Sequence, residues 1–169
     1  MKVGVLADTH DRVPAIAEFI KRFREAGVGL VLHCGDYCAP FSLEPFIKAS
    51  MPLAGIFGRN DGDREGLRAA AQGGVGIELV ESPHSLRLGD HSVLLVHDIG
   101  DVHQRSVAAH EYVFHGSLHQ QEMKTRGDSL ILNPGEACGW IHGSPTAAIV
   151  DLDTRNAEFI KLDGPEWTF

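Results

Sequence analysis

The first apolar run of the chain ends in two side chains that could hold a metal. Residues 3–7 are apolar, and Asp8 and His10 follow them directly. A carboxylate oxygen and an imidazole nitrogen two positions apart suit a divalent transition metal. A capping aspartate beside a solvated histidine would explain the same pair, so the metal hypothesis depends on the rest of the chain.

Similar polar groups follow the next two apolar runs. Residues 28–32 precede Asp36, and residues 52–57 precede Asn60 and Asp61. The carboxyl ends of parallel strands in an α/β sheet lie at one edge, where ligands gather. Three consecutive polar strand ends are harder to explain by chance than one, and they favour a shared functional site at that edge.

The elements that would position these groups are strands alternating with helices. Apolar residues have helical spacing in the segment after the first strand: Ile16, Phe19, Ile20 and Phe23. Pro14 suits the first turn of this helix and Gly27 suits its end. Strand, helix and strand in succession predict a right-handed β-α-β unit with a parallel strand pair. Shorter helices are predicted at residues 42–49 and 64–72.

The second half of the sequence predicts mostly β-strands. Gly89 and Asp90 separate two strand-like runs and indicate a hairpin. A helix is predicted at residues 101–111 and a short strand at 112–114. Four further strands are expected to be antiparallel, at residues 122–125, 130–132, 147–152 and 157–161. No linker separates the halves, so we expect one α/β domain over residues 1–169, with two stacked mixed β-sheets flanked by helices.

Composition excludes several classes of protein. The formal net charge is −8, which argues against a strong nucleic-acid surface but leaves room for a small phosphate-ester substrate. No apolar run reaches the length of about 18 residues that a membrane span needs. The chain starts without a signal-peptide pattern and has three cysteines, an odd number, so we expect reduced thiols in a cytoplasmic protein. A homo-oligomer is compatible with this composition.

The polar segments, taken together and in order, resemble the calcineurin-like metallophosphoesterases, and among them the small archaeal and bacterial phosphodiesterases. The segments that carry the resemblance are VLADTHD, HCGD, GRND, His97, GSLH and LNPGEACGW. The likeness extends over nearly the whole chain. It implies metal-dependent hydrolysis of phosphoesters, in which cations activate water and neutralise charge on the phosphoryl oxygens.

The resemblance also implies a ligand set. Asp8, His10 and His119 would hold a first metal, Asp36 would bridge two metals, and His97 would belong to the second. One or two divalent ions per chain are expected, and Mn, Fe, Zn, Ni and Co suit carboxylate and imidazole ligands about equally.

The second metal site is where this sequence departs from the family pattern. The pattern G-N-x-D is GRND here, which puts Arg59 at the position of the ligating asparagine, and Ser117 replaces a ligating histidine. Arginine has no lone pair to offer a metal. Either the Arg59 guanidinium takes the place of the second metal, within reach of Asp36 or Asp98, or Arg59 points away and Asn60 moves into the ligand position.

These residues give the remaining functional hypotheses. Asp61 is either an acid or a turn cap, His97 and Arg59 are assigned to catalysis, and Arg59, Asn60 and Ser117 are assigned to substrate binding. We expect a hydrolase of phosphodiesters or small phosphate esters with one intact metal site and a replaced or weakened second one. The alternatives are a catalytically impaired binding or scaffold protein and a one-metal sensor of a phosphorylated ligand.

Overall fold

The computed structural model describes residues 1–167, so Thr168 and Phe169 of the predicted domain lie outside the described residues. Its strands in chain order are β1 (Lys2–Leu6), β2 (Leu30–His33), β3 (Leu53–Ile56), β4 (Ile77–Val80), β5 (His84–Leu88), β6 (His91–Val96), β7 (Tyr112–His115), β8 (Gln121–Arg126), β9 (Ser129–Pro134), β10 (Thr146–Asp151) and β11 (Asn156–Lys161). Its helices are α1 (Val13–Glu25), α2 (Glu44–Ala49), α3 (Arg64–Gln72) and α4 (Gln104–Ala108).

The strands form two mixed β-sheets, which confirms the predicted architecture. The first sheet has the order β11-β10-β1-β2-β3-β4, and the second has the order β5-β6-β7-β9-β8. Strands β1 to β4 run parallel in the first sheet, and β6, β7 and β9 run parallel in the second. The carboxyl ends of the parallel strands in each sheet therefore lie at one edge of that sheet.

The two sheets pack face to face, so that each sheet buries one of its faces against the other sheet. Alternate residues of β1 and of β7, such as Val3, Val5, Tyr112 and Phe114, meet in one apolar cluster between the sheets. Residues on the opposite faces pack against helices, with α1, α2 and α3 on the first sheet and α4 on the second. This alternation of side chains is what a strand buried on both faces produces.

Helix α1 has the boundaries that its sequence predicts. Pro14 lies in its first turn, and Gly27 follows it with a φ of 79°. The N–H of Val28 donates to the carbonyl of Phe23, the bond that closes a helix on a left-handed glycine. The Phe23 ring covers Gly4 of β1, where a Cβ would come within 2.7 Å of the ring.

Two predictions about the second half were wrong in detail, and one strand of the first half was missed. The helix expected at residues 101–111 is a 3₁₀ turn, Ile99–Asp101, followed by the short α4. Strand β9, expected to be antiparallel, runs antiparallel to β8 but parallel to β7. Strand β4 was not predicted, because four residues after a glycine-rich turn show too little periodicity. The hairpin at Gly89 and Asp90 is confirmed by the pairing of β5 with β6.

No helix among residues 1–167 combines the length and apolar character that a membrane crossing requires.

Replacing Phe23 with alanine is expected to lower the free energy of unfolding by about 3–5 kcal/mol, because the ring is fully buried and its loss leaves a cavity over Gly4. Urea unfolding measures the change. Phe41→Ala is the matched control, since Phe41 is 48% exposed and its truncation should cost less than about 0.5 kcal/mol. Equal losses for the two variants would contradict the packing described.

Candidate metal centre

The predicted metal-binding side chains meet at the carboxyl ends of four strands. Asp8 and His10 follow β1, Asp36 follows β2, His97 follows β6, and His119 follows β7. The His10 Nε2 lies 3.6 Å from Asp36 Oδ2 and 3.9 Å from Asp8 Oδ1. The His97 Nε2 lies 3.5 Å from Asp36 Oδ2, and the His119 Nε2 lies 3.7 Å from Asp8 Oδ1. The structure therefore brings all five side chains together.

These side chains form two overlapping groups, each able to surround an ion. Asp8, His10 and His119 make one group, and Asp8, Asp36 and His97 make the other, with ligand atoms within 4.8 Å of one another. Ligands at about 2.0–2.2 Å from a tetrahedral ion lie about 3.4 Å apart. The observed separations of 3.5–3.9 Å need only small side-chain adjustments to reach that spacing.

The Asp8 carboxylate is fully buried and has no lysine or arginine partner among residues 1–167. Neither of its oxygens has a hydrogen-bond partner of normal geometry among residues 1–167. Burial, together with the negative charges of Asp36 and Glu136, raises the pKa of Asp8 to about 8, and the nearby N–H of Ser117 opposes this shift only in part. A buried carboxylate without a partner is costly, and a divalent cation would satisfy it. The residues present thus fit a metal.

The imidazoles are oriented by partners behind them. His119 Nδ1 lies 2.9 Å from Glu136 Oε2, and His97 Nδ1 lies 2.8 Å from the carbonyl oxygen of Cys34. Both acceptors require a proton on Nδ1, which leaves Nε2 with its lone pair facing the carboxylates. The His10 Nε2 is likewise unpaired among the described residues, and burial lowers the pKa of its ring.

Asp61 joins the loop after β2 to the loop after β3. Its two carboxylate oxygens accept four backbone N–H groups, from Asp36, Tyr37, Cys38 and Gly58, at 3.1, 2.7, 2.9 and 2.6 Å. The contacts position Asp36, while an acid role for Asp61 stays a prediction.

Four of the predicted metal ligands have left-handed backbone conformations. Asp8, His10, Asp36 and His119 have φ values of 53°, 37°, 64° and 56°, in the left-handed region that side chains with a Cβ seldom occupy. Gly58 allows the closest approach, because a Cβ there would lie 2.2 Å from Asp36 Oδ1. Strained backbone of this kind is concentrated at functional sites, where neighbouring structure maintains it.

Asn60, and not Arg59, contacts the predicted bridging carboxylate. The Asn60 side-chain amide donates to Asp36 Oδ2 at 2.7 Å, and its backbone N–H donates to Asp36 Oδ1 at 2.8 Å. The Arg59 guanidinium lies 2.8 Å from Asp98 and 3.6 Å from Asp101, and its side chain is 62% exposed. Arg59 thus pairs with Asp98, as one alternative expects, while Asn60 meets Asp36, as the other expects, and the metal roles of both residues stay predictions.

Glu136 makes more contacts in the site than the sequence analysis predicts. It is 1% exposed, and besides His119 it accepts the N–H groups of Ile141 and His142 at 2.9 and 2.6 Å. It also lies close enough to His119 and Cys138 to form a third group of potential ligands. Its position in the LNPGEACGW segment was a usable signal, but nothing in the sequence pairs it with His119.

The fold and this cluster of ligands define a metallophosphoesterase. Residues 1–155 match the sequence model of the calcineurin-like phosphoesterase superfamily domain. The chain therefore belongs to that superfamily. The family depends on divalent metals, and the function of the chain is of the phosphoesterase type.

Individual relatives agree with this assignment. The chain is 29% identical to phosphodiesterase MJ0936 of Methanocaldococcus jannaschii over 170 residues, which is 96% of this chain and 100% of the relative. A solved archaeal phosphodiesterase superposes with a TM-score of 0.88 at 28% identity, covering 96% of this chain and 100% of that one. A Vps29 mutant structure from Entamoeba histolytica superposes with a TM-score of 0.67 at 16% identity, covering 96% and 100%, and shares the fold.

The metal-free protein is expected to lose stability as the pH rises from about 4 to about 8. The pKa of Asp8 is raised in the folded chain from its ordinary 3.8 to about 8, so over this range the unfolded chain is ionised while the folded site keeps its proton. Denaturant midpoints measured across this range should fall in the wild type and fall less in Asp8→Asn. Mn²⁺ at pH 7.5 should raise the midpoint of the wild type and not of the variant.

Asp90→Asn is the control for this experiment, because Asp90 lies in the exposed hairpin turn far from the carboxylates. It should reproduce the pH profile of the wild type and its response to Mn²⁺. A flat profile in the metal-free wild type would contradict the burial of an unpaired charge at Asp8.

Proposed function

We propose that this chain is a divalent-metal-dependent hydrolase of phosphodiesters or small phosphate esters. The observation that carries the proposal is the buried, unpartnered Asp8 carboxylate, which faces imidazole nitrogens of His10 and His119. A structural role would have given this carboxylate hydrogen-bond donors, as it has for Asp61. Asp8 has only the N–H of Ser117 nearby, and this shortage of donors favours a site made for a cation.

The first ion would be held by Asp8, His10, Asp36 and His119, and the second by Asp36 and His97 with help from Asn60. Such ions bring the pKa of bound water close to neutrality and neutralise charge on the phosphoryl oxygens. The metal is a transition ion of the group Mn, Fe, Zn, Ni and Co, all of which suit these ligands.

The chain's own residues prepare the site for this chemistry. Glu136 and the Cys34 carbonyl accept hydrogen bonds from Nδ1 of His119 and His97, which in the neutral rings places the lone pair on Nε2. Asn60 orients both oxygens of Asp36. Arg59 places a positive charge at the exposed edge of the site, where it can meet an incoming phosphate. Asp98 offsets part of that charge.

We propose that the second ion binds more weakly than the first. Ser117 stands where the family pattern has a ligating histidine, and a hydroxyl is a poorer ligand than an imidazole. The contact between Asn60 and Asp36 supports retention of a second site rather than its replacement by the Arg59 guanidinium. The second site is therefore weakened and not lost.

The other class of function is a binding or scaffold protein that kept the fold without turnover. Ser117 and the exposed position of Arg59 are the features that favour it. The complete first ligand set disfavours it, because a scaffold has no use for a buried, unpaired Asp8.

We further propose a single domain over residues 1–169 that acts on small substrates in the cytoplasm. The odd number of cysteines, Cys34, Cys38 and Cys138, supports a reducing compartment. The net charge of −8 disfavours nucleic acid as the partner.

The direct test combines a Mn²⁺ titration of the metal-free protein by calorimetry with hydrolysis of bis(p-nitrophenyl) phosphate. One tight and one weaker ion per chain are expected, with turnover that needs added metal. Asp36→Asn removes the charge that both ions share and should weaken binding and turnover at least about tenfold, whereas Asp90→Asn should change neither. Metal binding without turnover would favour the scaffold alternative, and an absence of metal binding would refute the proposal.

A second experiment distinguishes the role of Arg59 in metal binding from that of Asn60. Asn60→Ala removes an amide that orients Asp36 and should lower the affinity for the weaker ion by about 10–100-fold. Arg59→Ala should leave the number of bound ions unchanged, because the guanidinium that it removes pairs with Asp98 at the exposed edge of the site. A gain of one ion in Arg59→Ala would show that the guanidinium occupies the second metal position.

A further inference from the structure

An apolar rim borders the cleft beside the ligands of the first metal. Trp140 and Ile141, in the segment between β9 and β10, are 52% and 65% exposed, although both are large apolar residues. The cleft has a volume of about 240 Å³ and is lined by His10, Asn60, His119, Glu136, Cys138, Trp140 and Ile141. Exposed apolar side chains at the edge of a polar cleft are typical of a ligand-binding surface.

The position of Trp140 is set by the site itself. Its indole Nε1 lies 3.4 Å from the carbonyl oxygen of His10, a predicted ligand of the first metal. The Arg12 guanidinium lies over the indole, 5.4 Å from the ring centroid. A cation over an aromatic face and a hydrogen bond at its edge hold a ring in one orientation. These two contacts therefore favour the orientation in which the Trp140 indole borders the cleft.

The rim is also tied to the metal ligands through buried contacts. Glu136 accepts the N–H of Ile141 on one oxygen and the His119 ring on the other. The backbone N–H of Cys138 donates to the carbonyl of Asp8 at 3.0 Å. The rim therefore lies at a fixed position relative to the reacting phosphate in the proposed function.

The cleft presents aromatic surface on more than one side. The His10 and His119 rings are stacked, with centroids 5.6 Å apart and an interplanar angle of 24°. With Trp140 they give three planar rings around one opening. Planar rings pack best against another planar ring, by offset stacking or edge-to-face contact. An alkyl or sugar group would use this surface less fully.

We propose that Trp140 and Ile141 form a subsite for a planar aromatic group joined directly to the phosphate of the substrate, as in an aryl phosphate ester. The inference rests on the proposed function, since it needs a phosphate at the metal ligands. The inference adds that the group next to that phosphate is an aromatic ring. It also adds that the rim formed by Trp140 and Ile141 favours substrates that carry such a ring.

The test compares two ligands that differ only in the ring. Calorimetry with Mn²⁺-loaded protein measures the affinity for phenylphosphonate and for methylphosphonate, at a pH where both are dianions. The wild type should bind the phenyl compound about tenfold more tightly, the gain that one well-packed ring contributes. Trp140→Ala should reduce this ratio to about one or two, and Trp140→Phe should keep most of it, because the ring remains.

Two further variants keep the test decisive. Ile141→Ala should lower the ratio by a smaller amount, and it serves if Trp140→Ala does not fold. Val75→Ala is the matched control, because Val75 is an apolar residue that is 79% exposed in the turn before β4, at the opposite end of the sheet from the site. Its ratio should equal that of the wild type.

The outcomes separate the two proposals. Equal binding of both phosphonates to the wild type, or an unchanged ratio in Trp140→Ala and Ile141→Ala, would overturn the aromatic subsite and leave the phosphoesterase proposal standing. Binding of neither phosphonate to the metal-loaded protein would overturn both. A phenyl preference that depends on Trp140 and Ile141, and not on Val75, supports the subsite even if the protein turns over slowly.

Discussion

Repulsion among buried carboxylates is the constraint on which this structure depends. Asp8, Asp36, Asp61 and Glu136 are each no more than 4% exposed, and they lie around one small volume. Asp61 and Glu136 are stabilised by backbone N–H donors, and Asp36 is stabilised by Asn60. Asp8 has only the partial support of the Ser117 N–H among the described residues. Because burying an uncompensated charge is costly, a cation would stabilise the ionised form of this cluster.

The loops that carry these carboxylates support one another. The N–H of Asp8 donates to the carbonyl of Gly35, and that of His10 donates to the carbonyl of Asp36. The N–H of Gly116 donates to the carbonyl of His97, which joins two loops of the second sheet. These bonds hold the left-handed backbone that the ligands require, so the cost of that backbone is met by the framework around it. The site is therefore rigid because its loops are mutually bonded and anchored on strand ends.

Sequence reasoning identified features that depend on local pattern and missed those that depend on distant contacts. Helix α1 and the parallel strands follow from apolar periodicity within short windows, and each predicted ligand sits at the end of such a run. The parallel pairing of β9 with β7 and the link from Glu136 to His119 join segments that are far apart in the chain, which no local pattern encodes. The path of the loop at residues 58–61 decides whether Arg59 or Asn60 meets Asp36, and one residue of slip reverses the answer.

The two-sided bonding of Glu136 has a thermodynamic consequence. One oxygen restrains His119 and the other restrains the segment that bears Ile141, so order in one promotes order in the other. Coupling between two binding events is reciprocal by thermodynamic necessity. In the proposed function, any further order that an ion gives to His119 would raise the affinity of the rim for its ligand, and the ligand would raise the affinity for the ion by the same factor. The protein would thus hold its metal more firmly while occupied by substrate than between turnovers.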